Sequence, residues 1–135
     1  LYRQRRRMSM EMVIGGAFQG KAAFAEKMYP GISWVRGNEI SREELFSARG
    51  VVGFHEFIKK EMEEGSSVEA LAEELIRKNP EVILVSDEVG YGVVPVDAFQ
   101  RAYREAVGRT CTKLASFSRK VTRVVCGIGT VIKHD

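Results

Sequence analysis

Short continuous apolar runs alternate along this chain with longer stretches in which apolar residues recur at helical spacing. Residues 11–14 form the first run; Gly15 and Gly16 cut it off, and residues 21–28 then have helical composition. That order reads as strand, glycine turn, helix. A second β-prone run at residues 32–35 is closed by Gly37 and Asn38, and Ser41 with Glu44 forms a capping-box signature that predicts a short helix. Val51, Val52 and Phe54 predict a third strand running into a charged helix over residues 56–64, closed by Gly65. Ser66 and Glu69 give a second capping-box signature ahead of Val68, Leu71, Ala72, Leu75 and Ile76, and Asn79 with Pro80 stops that helix.

Residues 82–85 are apolar without a break, the pattern of a strand buried on both faces of a parallel sheet. Glycines and Pro95 mark a loop. Asp97 then stands where it can cap a long amphipathic helix whose stripe runs through Phe99, Ala102, Tyr103, Ala106, Val107, Cys111, Leu114 and Ala115. Residues 121–126 and 130–132 predict two closing strands, separated by Gly127 and Gly129 as a hairpin. Strands alternating with helices predict an α/β fold: a mostly parallel central sheet flanked by helices, with the hairpin at its C-terminal end. Without an internal repeat or a low-complexity linker, residues 10–135 read as a single domain.

Composition adds limits to that fold. A chain of 135 residues, 44% hydrophobic and 29% charged, can bury an ordinary core and is not a disordered polymer. No apolar stretch approaches the roughly 18 residues of a membrane span, and the basic start lacks a signal-peptide core, so a cytoplasmic protein is expected. Cys111 and Cys126 then read as reduced thiols, and their spacing makes no zinc site. The net charge of +3 is concentrated in Arg3, Arg5, Arg6 and Arg7; without them the chain carries about −1. Residues 1–9 therefore read as a disordered or non-native basic extension, and no specific nucleic-acid binding is expected.

The sharpest chemical signal lies between the first strand and the first helix. Gly15, Gly16, Ala17, Phe18, Gln19, Gly20, Lys21 and Ala22 fit G-x-x-x-x-G-K up to its last position. In that context backbone N–H groups and the helix N-terminus converge on phosphate, with Lys21 reaching the terminal phosphates of ATP or GTP. The full motif ends in Ser or Thr, whose hydroxyl binds Mg²⁺; here Ala22 stands instead, leaving Mg²⁺ to phosphates, waters and a distant carboxylate. Phe18 must pack under the loop, against a partner subunit, or on a flat ligand, and packing is the default for so apolar a side chain.

This loop, the segment Val82-Ile83-Leu84-Val85-Ser86-Asp87-Glu88-Val89-Gly90-Tyr91-Gly92-Val93-Val94-Pro95, the pair Gly108-Arg109 and the closing residues 124–133 resemble, in order, the adenosylcobinamide kinase/adenosylcobinamide-phosphate guanylyltransferase family. The resemblance covers the start and the stretch from Val82 onward well, and the middle poorly. It implies a phosphate-loop protein of cobalamin biosynthesis, a homo-oligomer, that phosphorylates a corrinoid hydroxyl and then transfers GMP from GTP. Its small-molecule partners are then nucleotide and corrinoid. Gly16, Gly20 and Lys21 are implied to bind nucleotide phosphates. Glu88, just past a buried strand, is placed to reach Mg²⁺ or an attacking hydroxyl, with Asp87 competing for the same role. Arg109 could clamp phosphate bidentately, or be an exposed helix arginine.

The departures decide between activities. Cys111 and Thr112 replace the family's amide pair after Gly108-Arg109, and no histidine occurs from Arg36 to Gly53, where the family carries its guanylylated residue. His55 follows the third strand and could face the nucleotide as a catalytic imidazole, but does not match that residue; His134 is incidental. Kinase-type phosphoryl transfer by Lys21 and Glu88 is thus expected ahead of guanylyl transfer, the small size reading as a cut through the family's middle. The other reading is a non-catalytic phosphate-loop module that binds nucleotide or corrinoid as sensor or scaffold, favoured by Ala22 and the missing histidine.

Overall fold

A computed structural model of the protein describes residues 9–89 and 97–135. The Arg-rich start and the Gly90 to Val96 stretch of the resemblance, with its Pro95, lie outside the described residues. The order of elements is β1 (Glu11–Gly15), α1 (Lys21–Met28), β2 (Trp34–Arg36), a 3₁₀ turn (Gly37–Glu39), α2 (Arg42–Leu45), β3 (Gly50–Val52), α3 (Phe54–Glu63), α4 (Leu71–Lys78), β4 (Ile83–Asp87), α5 (Ala98–Phe117), β5 (Lys120–Val125) and β6 (Ile128–His134). They build one sheet in the order β2-β3-β4-β1-β5-β6, parallel throughout except for the β5–β6 hairpin. The α/β architecture read from the sequence is the one observed.

Strand alternation sorts the apolar side chains into two cores. Met12, Val51, Leu84 and Val121 face the larger one, with Leu45, Phe57, Ile58, Leu71, Leu75, Val107 and Leu114 from the helices on that side. Val13, Val85 and Val124 face the smaller, which Ala25 and Phe24 of α1 cover, with Trp34 and Val52 packed at its margin. Among the described residues α1 is the only helix on this second face, so the β2–β3 end of that face is open.

Several local expectations hold in detail. Ser41 accepts from the Glu44 N–H while Glu44 accepts from the Ser41 N–H, a complete capping box at α2. Asp97 caps α5 by accepting from the Gln100 N–H at 2.7 Å. Asn79 ends α4 and its amide donates to the carbonyls of Leu45 and Ala48, tying α4 to the end of α2. Arg42 reaches Glu61 of α3 at 2.9 Å and Glu74 of α4 at 3.2 Å, so one guanidinium joins three helices.

Others are corrected. Phe54 opens α3 and is fully buried, because Gly53 with φ of 71° turns the chain at the end of β3 before a fourth strand residue can form. Ser66 and Glu69 form no capping box: α4 begins at Leu71 with Ala70 at its cap, and Ser67 instead accepts from the Glu69 N–H in a local turn. The hairpin turns at Cys126 and Gly127, so Gly129 lies inside β6.

Candidate functional site

β1 ends at Gly15, and the chain curls through Gly16–Gln19 before Gly20, with φ of 83°, starts α1. A left-handed residue there directs the first turn of the helix back over the loop, a conformation that a residue with a Cβ adopts only under strain. Gln19 fixes the other side of the loop: its side-chain carbonyl accepts from the Cys126 N–H at 2.7 Å and its backbone carbonyl from the Gly127 N–H at 2.8 Å. The hairpin turn thus braces the phosphate loop, a link between residues far apart in sequence.

Lys21 stands in the first turn of α1 and is 8% exposed. Its Nζ donates to the Gly16 carbonyl at 2.7 Å and lies 2.6 Å from Asp87 Oδ1. Strand pleating decides which acidic residue meets it. Gly15 pairs with Asp87 in the β1–β4 register, so Val85 and Asp87 share the α1 face while the chain's alternation sends Glu88 the other way. Glu88 makes a two-pronged pair with Arg123, 3.0 Å to Nε and 3.2 Å to Nη2, and lines a separate hollow beside Met12, Val107 and Cys111. The structure therefore brings Asp87, and not Glu88, to Lys21.

His55, in the first turn of α3, completes the cluster. Its Nδ1 accepts from the Asp87 N–H at 3.0 Å, and Nε2 faces Asp87 Oδ2 at 3.4 Å. An acceptor at Nδ1 requires the neutral ring with its proton on Nε2. Burial lowers the His55 pKa below its ordinary 6.5 and outweighs the attraction of Asp87 and Glu56. A folded-state pKa below the unfolded one means stability that is present above about pH 6.5 and is lost as pH falls through the folded value. Urea unfolding measured between pH 8 and pH 5 is expected to show the wild type losing midpoint below that pH while His55→Gln stays flatter. Parallel curves would show that His55 does not titrate against the fold.

Lys21, Asp87 and His55 lie in a cleft of about 750 Å³ on the open face of the sheet. Ala17, Phe18, Gln19, Gly20 and Ala22 form one side; Trp34, Arg36, Val52, Gly53 and Glu56 form the other. Phe18 differs from the packing expected of it: the side chain is 103% exposed at the loop apex and its φ is 61°. Arg109 is also elsewhere, on α5, 73% exposed and paired loosely with Glu105 at 3.5 Å. His134 is exposed at the end of β6. Trp34 and Arg36 carry no motif; the alternation of β2, with Trp34 and Arg36 two apart, was the signal that could have set them on one face.

Comparison with known proteins bears on the part of the chain that follows this loop and helix. A family model described as "CobU: Cobinamide kinase / cobinamide phosphate guanyltransferase" matches residues 37–132. The match includes the middle of the chain that the residue-by-residue resemblance covers poorly, and begins after the phosphate loop. Two curated proteins named "Bifunctional adenosylcobalamin biosynthesis protein CobU", from Escherichia coli and Salmonella typhimurium, are each 44% identical over 52 residues. That stretch is 38% of this chain and 29% of each relative, so the aligned part spans under a third of their length. Among the described residues no helix is long and apolar enough to cross a membrane. Because this family model matches well over half of the chain, the chain belongs to the cobinamide kinase / cobinamide phosphate guanyltransferase family.

Proposed function

We propose that this chain binds ATP or GTP at Gly15 to Ala22 and transfers a phosphoryl group to a corrinoid acceptor, the kinase reaction of its family rather than the guanylyl transfer. The observation that carries this reading is Lys21, held at the start of α1 behind a strand and a glycine loop, with its ammonium at the floor of a cleft beside Asp87 and His55. A nucleotide polyphosphate on the loop backbone takes Lys21 as its counter-charge in place of Asp87. Asp87 is then a free carboxylate within the cleft, next to the transferring phosphate, where an acceptor hydroxyl needs orientation. His55 keeps that carboxylate in place through the Asp87 N–H. No histidine stands where guanylyl transfer would need it, and His55, turned onto Asp87, is engaged in this second task.

Mg²⁺ fits the cleft as a companion of the nucleotide. Ala22 has no hydroxyl, and the described residues hold no cluster of three metal-binding side chains, so a cation would keep mostly phosphate oxygens and waters, with Asp87 the carboxylate beside Lys21 that would help to hold it. Bound there it supplies charge neutralisation on the phosphates.

Incubation with Mg²⁺, adenosylcobinamide and ATP or GTP labelled in the γ-phosphate is expected to yield labelled adenosylcobinamide phosphate. The second reading, a non-catalytic module, rests on Ala22 and on Lys21 being satisfied within the protein. Nucleotide binding that is tight without Mg²⁺, with no label transferred from either nucleotide, would decide for it.

A further inference from the structure

Among the described residues, two other than glycine hold a left-handed backbone, Phe18 with φ of 61° and Cys126 with φ of 50°. That conformation is strained for a residue with a side chain and persists where surrounding contacts hold it. The two stand at opposite ends of one link. Gln19, which follows Phe18, accepts from the Cys126 N–H with its side-chain carbonyl and from the Gly127 N–H with its backbone carbonyl. The turn is also seated on the loop directly, since a Cβ on Gly20 would lie 3.4 Å from the Gly127 Cα. Within β6, a Cβ on Gly129 would lie 2.2 Å from the Phe24 ring, so the hairpin meets α1 as well.

The stereochemistry of the peptide group gives this link a direction. The peptide bonds of the described residues are trans, and a trans peptide points its C=O and its N–H to opposite sides. The Gln19 carbonyl is turned to the hairpin, so the N–H of the same peptide group, which belongs to Gly20, is turned away from it. The cleft lies on that side: Gly20 lines it, while Cys126 and Gly127 do not. Phe18 and Gly20, left-handed on either side of Gln19, make the alternation in which successive backbone N–H groups converge on an anion. Lys21 is placed by other contacts, the Gly16 carbonyl and Asp87.

We propose that Gln19 is a positioning residue for the phosphate loop: tied by both of its carbonyls to the Cys126–Gly127 turn, it aims the Gly20 N–H at a bound polyphosphate, so that a turn outside the cleft sets the loop's affinity. The assignment deepens the proposed function and rests on it for the use of the loop as a phosphate site. It gives a share in binding to a turn whose Cys126 lies 107 residues beyond Gln19 in the chain.

The whole chain is titrated by calorimetry with inorganic tripolyphosphate and with ATP, and urea unfolding is followed on the same proteins. Gln19→Met keeps the length of the side chain and loses the carbonyl that accepts from the Cys126 N–H. It is expected to bind both ligands about tenfold more weakly, the worth of one misdirected charge-assisted hydrogen bond. The nucleotide KM is expected to rise by the same factor with kcat within about twofold of the wild type, because Lys21 and Asp87 keep their places. Gly127→Val strains the turn from outside the cleft: φ is 77° and nothing lies within 4 Å of the added Cβ, so the cost is one of backbone conformation. It is expected to weaken tripolyphosphate binding as Gln19→Met does, and Gly127→Asn, which tolerates the left-handed backbone, to restore it. Gly65→Val imposes the same strain at the end of α3, with φ of 81° and open space around it, and is expected to lower the urea midpoint while leaving tripolyphosphate affinity as it was. Wild-type affinity in Gln19→Met or in Gly127→Val overturns the proposal. An equal loss of affinity in Gly65→Val overturns it too, by reducing the link to general stability, and so does a wild type that binds no tripolyphosphate. A wild type that binds tripolyphosphate and transfers no phosphoryl group to a corrinoid counts against the kinase reading alone.

Discussion

Lys21→Ala is expected to lower phosphoryl transfer by about 10²–10³-fold, the size of effect seen when one preorganised charge partner of a transition state is removed. The side chain meets two requirements at once. It is 8% exposed, so its charge acts where water screens little, and it is held within 2.7 Å of the loop's own Gly16 carbonyl, so it needs no large movement to meet a phosphate. Removing it also leaves Asp87 without its cation, and a carboxylate facing an incoming polyphosphate repels it. Nucleotide affinity by calorimetry should therefore fall together with turnover. Asp87→Asn separates the two effects: the backbone N–H that donates to His55 Nδ1 is untouched, the isosteric side chain removes the repulsion, and the variant is expected to retain nucleotide binding while turnover drops. Unchanged ATP binding and unchanged turnover in Lys21→Ala would remove the phosphate loop from the function altogether.

The largest loss of stability is expected from Gly37→Ala. Its new methyl group would sit 2.2 Å from the Gly53 carbonyl oxygen, 2.9 Å from the Gly53 carbonyl carbon and 3.2 Å from the Phe57 Cβ. Two of those atoms are backbone, so no side-chain rotation relieves the contact and the ends of β2 and β3 must part. Overpacking of this kind costs about 1–3 kcal/mol, and a clash between backbones belongs at the upper end or beyond it. The denaturant midpoint should fall with little change in slope. Gly108→Ala makes the contrasting control. Gly108 lies inside α5 with nothing within 4 Å of the position a Cβ would take, so the substitution is expected to stabilise by about 0.5–1 kcal/mol through helix propensity. A Gly37→Ala protein as stable as the wild type would show that the two strand ends are not locked.

Local signals carried far in this sequence. The glycine loop between a strand and a helix, the Ser41 and Asp97 caps and the long stripe of α5 each depend on residues a few positions apart, and each is found where spacing places it. Phe54 and the Ser66–Glu69 pair show the limit of such signals. A β-prone side chain was overruled by the left-handed Gly53 before it, and a capping signature was overruled by a turn that starts the helix later. Asp87 and Glu88 could not be separated because residues 82–85 are apolar on both sides, which hides the alternation that assigns each to a face. The pairing of β1 with β4 and β5, and the brace from Gln19 to the hairpin turn, depend on contacts across most of the chain, and nothing at short range records them.

β1 lies at the middle of the sheet, and its partners come late: Glu11 pairs with Ile83 on one side and with Lys120 on the other. A growing chain has thus made the phosphate loop long before it has made either strand that holds the loop's first residues in place. Until β4 and β5 exist, Met12 and Val13 have no sheet to belong to, and the turn that steadies Gln19 is later still. Such a topology makes folding slow, since the entropy of closing long loops is met before their contacts form. A chain interrupted before residue 120 would therefore carry the whole G-x-x-x-x-G-K sequence and still lack the strand and the turn that hold the loop.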